Sequence, residues 1–404
     1  MICCFAIYGG TMGVGWNCIG IFNAAIAKDL GLSISAFTFS SIFNGLAAAV
    51  MLLFTDRIFK NCNIKTVLFI STVCYALHIG LRAVCSEIWQ FCLINVLGGA
   101  ACAFLFYVPV PMLINAWFRE KNGIALSVAT LSSGVIGAIL NPVLGNLIAS
   151  NGWRFASVVN GIVSAAIALP FILFLLVKTP EEAGLRPYGW KPEPERKPVT
   201  SPSEVDITEH MNIDYTPSEK RVRLFLSIIL AFMVYLVSTC VQQMAHYAQV
   251  NGLSVMAGSA LASAGMIGNL SGKAGIGAVI EKLGKRKTFA ISFSLAAAGD
   301  LILAFLPGAP IGVLYAGIAL AAISAANNAI AMPIVVAGFS AGEEYVTFIS
   351  KVSVATMIST AFGSYISSAL YDLTGSYVFE YVLYAALTMI GLAIVLYVLK
   401  EKKK

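Results

Sequence analysis

The sequence predicts an all-α membrane protein with twelve transmembrane helices in two six-helix bundles. Its composition is the first indication, because 58% of the residues are hydrophobic and 11% are charged, against about 25% charged in a soluble domain. The second is that apolar runs of about twenty residues recur from end to end, and each is long enough to cross a bilayer as a helix. The third is one long polar segment near the middle of the chain, which separates two groups of six runs.

The twelve helices follow from these runs in order. The first begins beside Met1 with no basic residues before it, so we interpret it as a spanning helix and not as a cleaved signal sequence. The predicted bounds are 5–27, 36–54, 66–84, 88–115, 123–149, 155–177, 223–248, 256–280, 288–306, 310–337, 346–370 and 377–399.

The positions of the basic residues predict the orientation, since cytoplasmic loops of membrane proteins carry an excess of Lys and Arg. If both termini are cytoplasmic, the opposite face has only Lys28, Arg82 and Arg154. Most other basic residues then lie in cytoplasmic loops at 55–65, 117–122, 178–222 and 281–287 and in the C-terminal tail. We expect the plasma (inner) membrane of a bacterium, because the external loops are short. The net charge of +6 needs no nucleic-acid partner.

The polar segment divides the chain into three predicted parts. Residues 1–177 form an N-terminal six-helix bundle, 178–222 a cytoplasmic linker, and 223–404 a C-terminal six-helix bundle with a basic tail. The linker is rich in proline and charge and lacks apolar periodicity, which is typical of a flexible connection.

A weak internal repeat supports this division into halves. Charged residues occupy matching positions after the second and the eighth helix: Asp56, Arg57 and Lys60, and Glu281, Lys282 and Lys285. Matching positions in two halves are expected of a transporter whose binding site lies near the bilayer midplane.

Lys273 is the first candidate for ligand binding. It lies eight residues before Glu281, so it sits about 12 Å deeper along a helix. A charge at mid-membrane costs about 2.5–3.5 kcal/mol, and a retained charge usually faces a cavity. The alternative is that Lys273 snorkels to the cytoplasmic headgroups, although about 12 Å is a long reach for this side chain.

Lys351, in the eleventh helix, is the second candidate, and its alternative is a snorkelling residue near Glu343 and Glu344. We expect Asp300 to be the only acid inside a helix, near the external end of the ninth. Two buried ammonium groups without a buried carboxylate would leave positive charge unpaired. The sequence therefore predicts a small organic anion as the ligand, held by one or two lysines with help from amides and aromatic rings.

Four stretches carry a family resemblance. They are the run from Tyr107 to Arg154, which closes on Gly152-Trp153-Arg154; PEEAGLRPYG at Pro180–Gly189; YDLTGSY at Tyr371–Tyr377; and the basic loop formed by Gly277, Glu281, Lys282, Gly284, Lys285 and Arg286. They resemble the monocarboxylate porters and oxalate/formate antiporters, a branch of the major facilitator superfamily. Asn122 stands where that branch usually has arginine before the glycine.

The resemblance implies a fold, a mechanism and a set of site residues. Members of the branch carry a basic residue at the position of Lys273, after Asn-x-x-Gly (here Asn269 and Gly272), and many carry a helix-11 lysine for which Lys351 is the candidate. Helices 1, 4, 7 and 10 surround the pathway in that fold. Their polar and aromatic members are Tyr8, Trp16, Asn17, Tyr107, Gln243 and Asn327. The alternative for each amide is a hydrogen bond that joins two helices.

Two further groups have other predicted roles. His246, near the outer end of helix 7, and Asp300 are possible proton sites, and both have structural alternatives. The loop residues Asp56, Arg57, Gly277, Glu281, Lys282, Gly284, Lys285 and Arg286 would form a conformational latch. Glu281 and Lys285 stand four apart and can pair. Such contacts would close the cytoplasmic side of the outward-facing state and break when the halves rock.

We therefore predict a secondary active transporter that moves a mono- or dicarboxylate across the bilayer by alternating access and works as a monomer. The lack of acids in the N-terminal helices favours antiport, while His246 and Asp300 leave proton-coupled symport open. The alternatives are an exporter of drugs or other organic solutes, or a membrane sensor or scaffold that does not transport. No enzyme, metal or cofactor is predicted, because the nine cysteines and three histidines show no ligand spacing.

Overall fold

A computed structural model describes residues 1–107, 109–120, 122–190, 215–340 and 342–400. Twelve helices occupy this part of the chain: α1 (Ile2–Asp29), α2 (34–61), α3 (Ile64–Val84), α4 (Ile88–Trp117), α5 (122–151), α6 (153–175), α7 (Pro217–Val250), α8 (Val255–Leu283), α9 (Lys285–Phe305), α10 (Ile311–Ala337), α11 (Gly342–Thr374) and α12 (Tyr377–Val398). The side chains of the predicted site residues Asp56 and Tyr107 lie outside the described part.

The prediction of an all-α membrane protein is confirmed. Within the described residues, nine stretches are long and apolar enough to cross a membrane. One of them, Ala125–Leu175, contains both α5 and α6, because Gly152 adopts a φ of 80° and breaks the helix. The helices α8 and α11 complete the twelve. They are not among the nine, and both contain many Gly, Ala and Ser residues and a lysine.

The seventh helix begins earlier than its predicted start at 223. Thr216 accepts a hydrogen bond from the Glu219 amide, Glu219 bonds back to the Thr216 amide, and Pro217 occupies the first turn. This capping box starts α7 at Pro217, six residues before the predicted boundary, because it satisfies amides that the first turn leaves free.

Part of the predicted linker packs on the N-terminal half. The Tyr188 amide donates to the Trp117 carbonyl (2.8 Å), and the Arg119 amide donates to the Tyr188 carbonyl (2.9 Å). These bonds attach the segment before residue 190 to the end of α4. The remainder, 191–214, lies outside the described residues.

Because successive helices run in opposite directions, the bundle has two ends. We call the end where α1 begins and α12 stops the terminal end, and the opposite end the distal end. Near the terminal end, one hydrophobic cluster consists of residues from α1–α6 and the segment after α6, and another of residues from α7–α12 and their flanks. A distal cluster mixes both halves, since Ala245 of α7 packs with Ile21 and Phe22 of α1. The halves are therefore joined through their distal ends.

The four helices α1, α4, α7 and α10 are each irregular near their middle. A π-helix runs over Gly9–Trp16 in α1 and over Ala103–Tyr107 in α4. A 3₁₀ segment spans Thr239–Gln243 in α7, and α10 breaks at Ala322. Such irregular turns are frequent at functional sites, because they free backbone groups and redirect side chains.

Candidate functional site

Three pairs of helices, each with one helix from each half, pack together and close the distal end. Glycines in these pairs allow the two backbones to approach closely. A Cβ added to Gly20 of α1 would overlap the Gln242 carbonyl oxygen of α7. A Cβ on Gly45 of α2 would overlap Ala361 of α11.

The third pair is α5 with α8. A Cβ on Gly145 would overlap Ser259, and the Ser263 hydroxyl donates to the Ala138 carbonyl (2.9 Å). At the distal rim, the Ser35 amide donates to the Asp372 carboxylate (2.9 Å), which again joins α2 to α11.

Two adjacent narrow cavities lie between the halves beneath this closure. Trp16, Asn44 and Thr360 line both of them. The more polar cavity has room for about one water molecule. Its other lining residues are Gly15, Ile19, Asn23, Ser41, Tyr75, His78, Arg82, Asn95, Gln242 and Ser364.

Arg82 gives this cavity a positive charge. It is one of the three basic residues predicted on the external side of the membrane, and in the fold it is 5% exposed at the end of α3. Its Nη2 donates to His78 Nε2 (2.8 Å), and His78 Nδ1 donates to the Ile94 carbonyl (2.8 Å). Because Nε2 must accept, this geometry requires a neutral imidazole. Within the described residues no carboxylate pairs with Arg82.

Lys273 lies on the face of α8 that meets the other half. It follows Ser259 by fourteen residues, which is about 21 Å along the helix and about 40° around it. At Ser259 this face touches α5, whereas a Cβ on Gly277 would meet no atom within 4 Å. Lys273 is half-buried, and no ion pair involves it in the described part of the chain.

Lys351 occupies a different position. Its side chain is exposed. Nine residues separate it from Thr360, so the two lie about 180° apart around α11, and Thr360 lines both cavities. The structure therefore does not bring Lys351 together with Arg82 and Trp16.

The predicted amides take part in helix packing. Asn17 Nδ2 donates to the Ser133 carbonyl of α5 (2.8 Å), and Gln243 Nε2 donates to the Ser364 carbonyl of α11 (3.3 Å). Asn327 Oδ1 accepts from the Ser292 hydroxyl of α9 (2.7 Å). These bonds join neighbouring helices, which is a common role of amides inside membrane proteins.

The predicted aromatic residues are placed differently. Trp16 is half-buried at the end of the π-helix in α1 and lines both cavities. Tyr8 lies two turns nearer the terminal end, and its ring packs edge-on against Phe106 at 6.4 Å between centroids. Trp16 is thus the one predicted aromatic or amide residue, among those that the structure describes, that lines these two cavities.

The acids do not follow the prediction that Asp300 alone lies inside a helix. Glu380 is also helical, in the first turn of α12, and both carboxyl groups are fully buried in the C-terminal half. Glu380 is the fourth residue of the predicted twelfth helix, 377–399, and its burial depends on the neighbouring helices. His246 Nδ1 and the Tyr377 hydroxyl are 2.7 Å apart at the distal end of the same half.

The basic loop after α8 lies at the terminal end. Gly284, with a φ of 76°, is the single residue between α8 and α9. The other members Gly277, Glu281, Lys282 and Arg286 are exposed, while Lys285 is half-buried. In the chain as described, neither these residues nor Arg57 form a salt bridge.

A family profile matches nearly the whole chain. The profile described as Major Facilitator Superfamily (MFS) matches residues 5–273 and 223–404. MFS-type transporter pynF of Aspergillus niger is 26% identical over 178 residues, 43% of this chain and 41% of that protein. MFS-type transporter pytF of Aspergillus terreus is 26% identical over 179 residues, 44% of this chain and 60% of that protein.

A bacterial protein shows a comparable match. The uncharacterized MFS-type transporter YcxA of Bacillus subtilis is 24% identical over 166 residues, 40% of this chain and 39% of that protein. Each of these three alignments spans less than two thirds of the relative's own length.

Solved structures match the whole chain in fold. The crystal structure of the nucleoside transporter NupG has a TM-score of 0.71 at 12% identity and covers 99% of this chain and 98% of its own. A bacterial homolog of the human lysosomal transporter Spinster, in an inward-facing and occupied conformation, has a TM-score of 0.65 at 14% identity, with 98% and 94% covered. At such identities the likeness concerns the fold alone.

Proposed function

The chain belongs to the Major Facilitator Superfamily and is a membrane transporter rather than an enzyme, and from this premise we propose that it moves a small organic anion by alternating access. The proposed substrates are mono- or dicarboxylates. They are the substrates that the likeness to the monocarboxylate and oxalate/formate branch implies.

The observation that carries this proposal is unpaired positive charge between the halves. Arg82 lines the polar cavity, and Lys273 lies on the face of α8 that points towards α5. Neither has a carboxylate partner among the described residues. A buried charge without a partner costs several kcal/mol, so an anionic ligand that enters between the halves gains an attraction that no protein group already satisfies.

Alternating access is supported by the contrast between the two ends. The distal end is closed by the glycine contacts of α1, α2 and α5, whereas the terminal end keeps separate hydrophobic clusters in each half. The loop residues Arg57, Glu281 and Lys282 would act as a latch that forms when the terminal end closes. Their lack of ion pairs in the described part of the chain fits a state that is closed at the distal end.

The membrane and the orientation belong to the same proposal. With both termini in the cytoplasm of a bacterium, the distal end faces outward and this conformation faces inward. The transporter would work as a monomer and as an antiporter or proton-coupled symporter. Lys351, exposed and on the far side of α11 from Thr360, would be a weaker contributor to anion binding than Lys273.

Counterflow in proteoliposomes tests the substrate class. Vesicles loaded with oxalate, formate, lactate, pyruvate, a sugar or a nucleoside would be assayed for uptake of the same labelled solute, with and without a pH gradient. We expect exchange of one or more carboxylates. Exchange of neutral solutes alone would instead identify an exporter or porter of other organic solutes, and no exchange of any solute would favour a sensor or scaffold.

The variant Lys273→Gln tests the residue. A hydrogen bond to a charged group contributes about 1.5–3 kcal/mol, so we expect anion exchange to fall about ten- to a hundredfold. Lys287→Gln is the matched control, because Lys287 is an exposed lysine at the start of α9 and is not one of the latch residues. Equal exchange by the Lys273→Gln variant and the control, at equal protein levels, would show that the ammonium group of Lys273 only snorkels.

A further inference from the structure

Two carboxyl groups lie together inside the C-terminal half, away from the cavities between the halves. Asp300 of α9 and Glu380 of α12 are both 0% exposed, and they are close enough to interact electrostatically. The two helices pack side by side, because the Cβ position of Gly391 on α12 meets the ring of Phe293 on α9 at 3.2 Å.

Several polar atoms at this place have no partner. Both oxygens of Asp300 and Oε2 of Glu380 are buried without a hydrogen bond in the described part of the molecule. The hydroxyl of Tyr381, also 0% exposed, is likewise unpaired and lies within electrostatic reach of Glu380. Glu380 Oε1 accepts a hydrogen bond from the Ser367 hydroxyl. Unpaired buried polar atoms of this kind usually have an additional ligand, such as a proton, water or ion.

No cation within the described part of the chain neutralises the pair. Among the described residues, the charged and titratable groups that face it are Cys240 of α7 and Tyr377, Tyr381 and Tyr384 of α12, with Tyr247 of α7 and Tyr371 and Asp372 of α11 one layer beyond. The described residues of α10 contribute no charged group, and α11 contributes Ser367. These neighbouring groups of the described residues include no Lys, Arg or His.

The energetics favour a bound proton. The first turn of α12 stabilises a negative charge on Glu380 through the helix dipole. A second buried carboxylate beside it is opposed by desolvation and by repulsion between the two charges. One charge can thus be tolerated and two cannot. We propose that Asp300 and Glu380 form a proton-binding site in which one of the two carboxyls carries a proton.

The distal surface gives access to the pair. A cleft at this end is lined by Leu303, Ala304, Tyr371 and Tyr377 together with Tyr247, Val250, Asn251, Pro307, Gly375, Ser376 and Val378. Asp300 lies one helical turn below Leu303 and Ala304, and Glu380 lies one turn below Tyr377. His246, which bonds the Tyr377 hydroxyl, stands beside this cleft and transfers protons between water and the pair.

The proton site is also connected to α7. Tyr384 follows Glu380 by one turn on α12, and its hydroxyl lies 3.3 Å from the Thr239 hydroxyl. Thr239 begins the 3₁₀ segment of α7, and Gln242 in the same segment meets Gly20 of α1. Protonation of the pair therefore acts on the helix that joins the two halves, which would couple the proton to the transport cycle.

Infrared spectroscopy of the purified protein in nanodiscs tests the site without any substrate. We expect a carbonyl stretching band of a protonated carboxylic acid at neutral pH in the wild type. The band should disappear when Asp300→Asn and Glu380→Gln are combined, and it should shift in frequency in Tyr381→Phe, which keeps both carboxyls. Asp29→Asn, a change to an exposed carboxyl at the same end, is the control and should leave the band unchanged.

Exchange into heavy water tests the access route. The band should shift several-fold more slowly in His246→Gln than in the wild type. A wild type without the band, or a band that survives both carboxyl substitutions, would overturn the site. A band that appears only when sodium is replaced by choline would identify a sodium site and also overturn the proposal. Since no substrate is present, none of these outcomes depends on whether the protein transports carboxylates.

Discussion

Arg82 shows how burial decides the role of a single charged residue. The sequence places it at the end of a predicted helix, where it was assigned to the external face. In the fold, a 3₁₀ turn begins at Arg82 at the end of α3, and the guanidinium contacts His78 beneath the closed distal end. The Arg82 guanidinium can bind an anion at this position. His78 accepts one of its hydrogen bonds, and the other guanidinium donors remain available.

The first prediction concerns this guanidinium. We expect Arg82→Gln to reduce carboxylate counterflow about ten- to a hundredfold, as for a lost charged hydrogen bond, and Arg82→Lys to restore part of it. The control is Lys28→Gln, since Lys28 also lies near the distal end but is exposed. If both glutamine variants exchange anions equally well, Arg82 does not bind substrate.

The site could be predicted from the sequence only in part. The sequence alone indicates Lys273, because a charged residue is unusual within an apolar run. Arg82 and Glu380 were missed because they lie in the last and first turns of their helices, where burial depends on neighbouring helices. The amides of Asn17 and Asn327 were recognisable as polar groups, but their partners, Ser133 and Ser292, lie on other helices and no local pattern indicates them.

At the level of elements, four of the described helices, α1, α4, α7 and α10, have an irregular turn near their middle. The π-helix of α1 is rich in glycine, and the turn ends at Trp16 beside both cavities. Glycine weakens a regular helix by about 1 kcal/mol relative to alanine, so this segment can change its hydrogen bonding at low cost. Hydropathy alone predicted the helices but gave no sign of the π and 3₁₀ turns.

The second prediction concerns the contact between α1 and α7. In Gly20→Val the new side chain would meet the Gln242 backbone, and overpacking of this kind costs about 1–3 kcal/mol. We expect the population to shift away from the state that is closed at the distal end. Hydrogen–deuterium exchange should therefore increase in 34–45 and 361–374.

Gly134→Val is the matched control, because a Cβ at Gly134 of α5 would meet no atom within 4 Å. Its exchange should equal that of the wild type. A folded Gly20→Val protein with unchanged exchange in both segments would show that the approach of α1 to α7 does not hold the distal end closed.

On the scale of the whole molecule, the distribution of basic residues is uneven between the two ends. The loops of the terminal end carry Arg57, Lys282 and Arg286, all exposed. Of the three basic residues near the distal end, Arg82 is buried and Arg154 is bound to backbone carbonyls, so Lys28 remains as the exposed one within the described residues. The difference in exposed positive charge between the two ends is therefore larger than the positions of the basic residues in the sequence indicate.

The third prediction is the orientation in the membrane. Because positive loops remain in the cytoplasm, a fluorescent protein fused after Lys404 should fluoresce in bacterial cells. Alkaline phosphatase fused in the distal turns at Gly252 or Pro307 should be active, since it folds outside the cytoplasm. Phosphatase fused after Leu283 is the inactive control. The reverse pattern would mean that the distal end faces inward.

The fold as a whole was predictable because the bilayer leaves few alternatives. A chain in lipid must satisfy its backbone hydrogen bonds internally, so each long apolar run becomes a helix. The relation between the halves was not predictable in the same way. It depends on contacts such as Gly145 with Ser259, between residues that are far apart in the sequence and unremarkable in composition.

The turn at Gly284 has a consequence for how the chain is made. The helix α8 is among the least apolar of the twelve, so the translocon would release it into lipid poorly by itself. With one residue between them, α8 and the more apolar α9 leave the ribosome almost together and can enter the bilayer as a hairpin. The lysine in α8 would then be sheltered by its neighbour from the first moment of insertion.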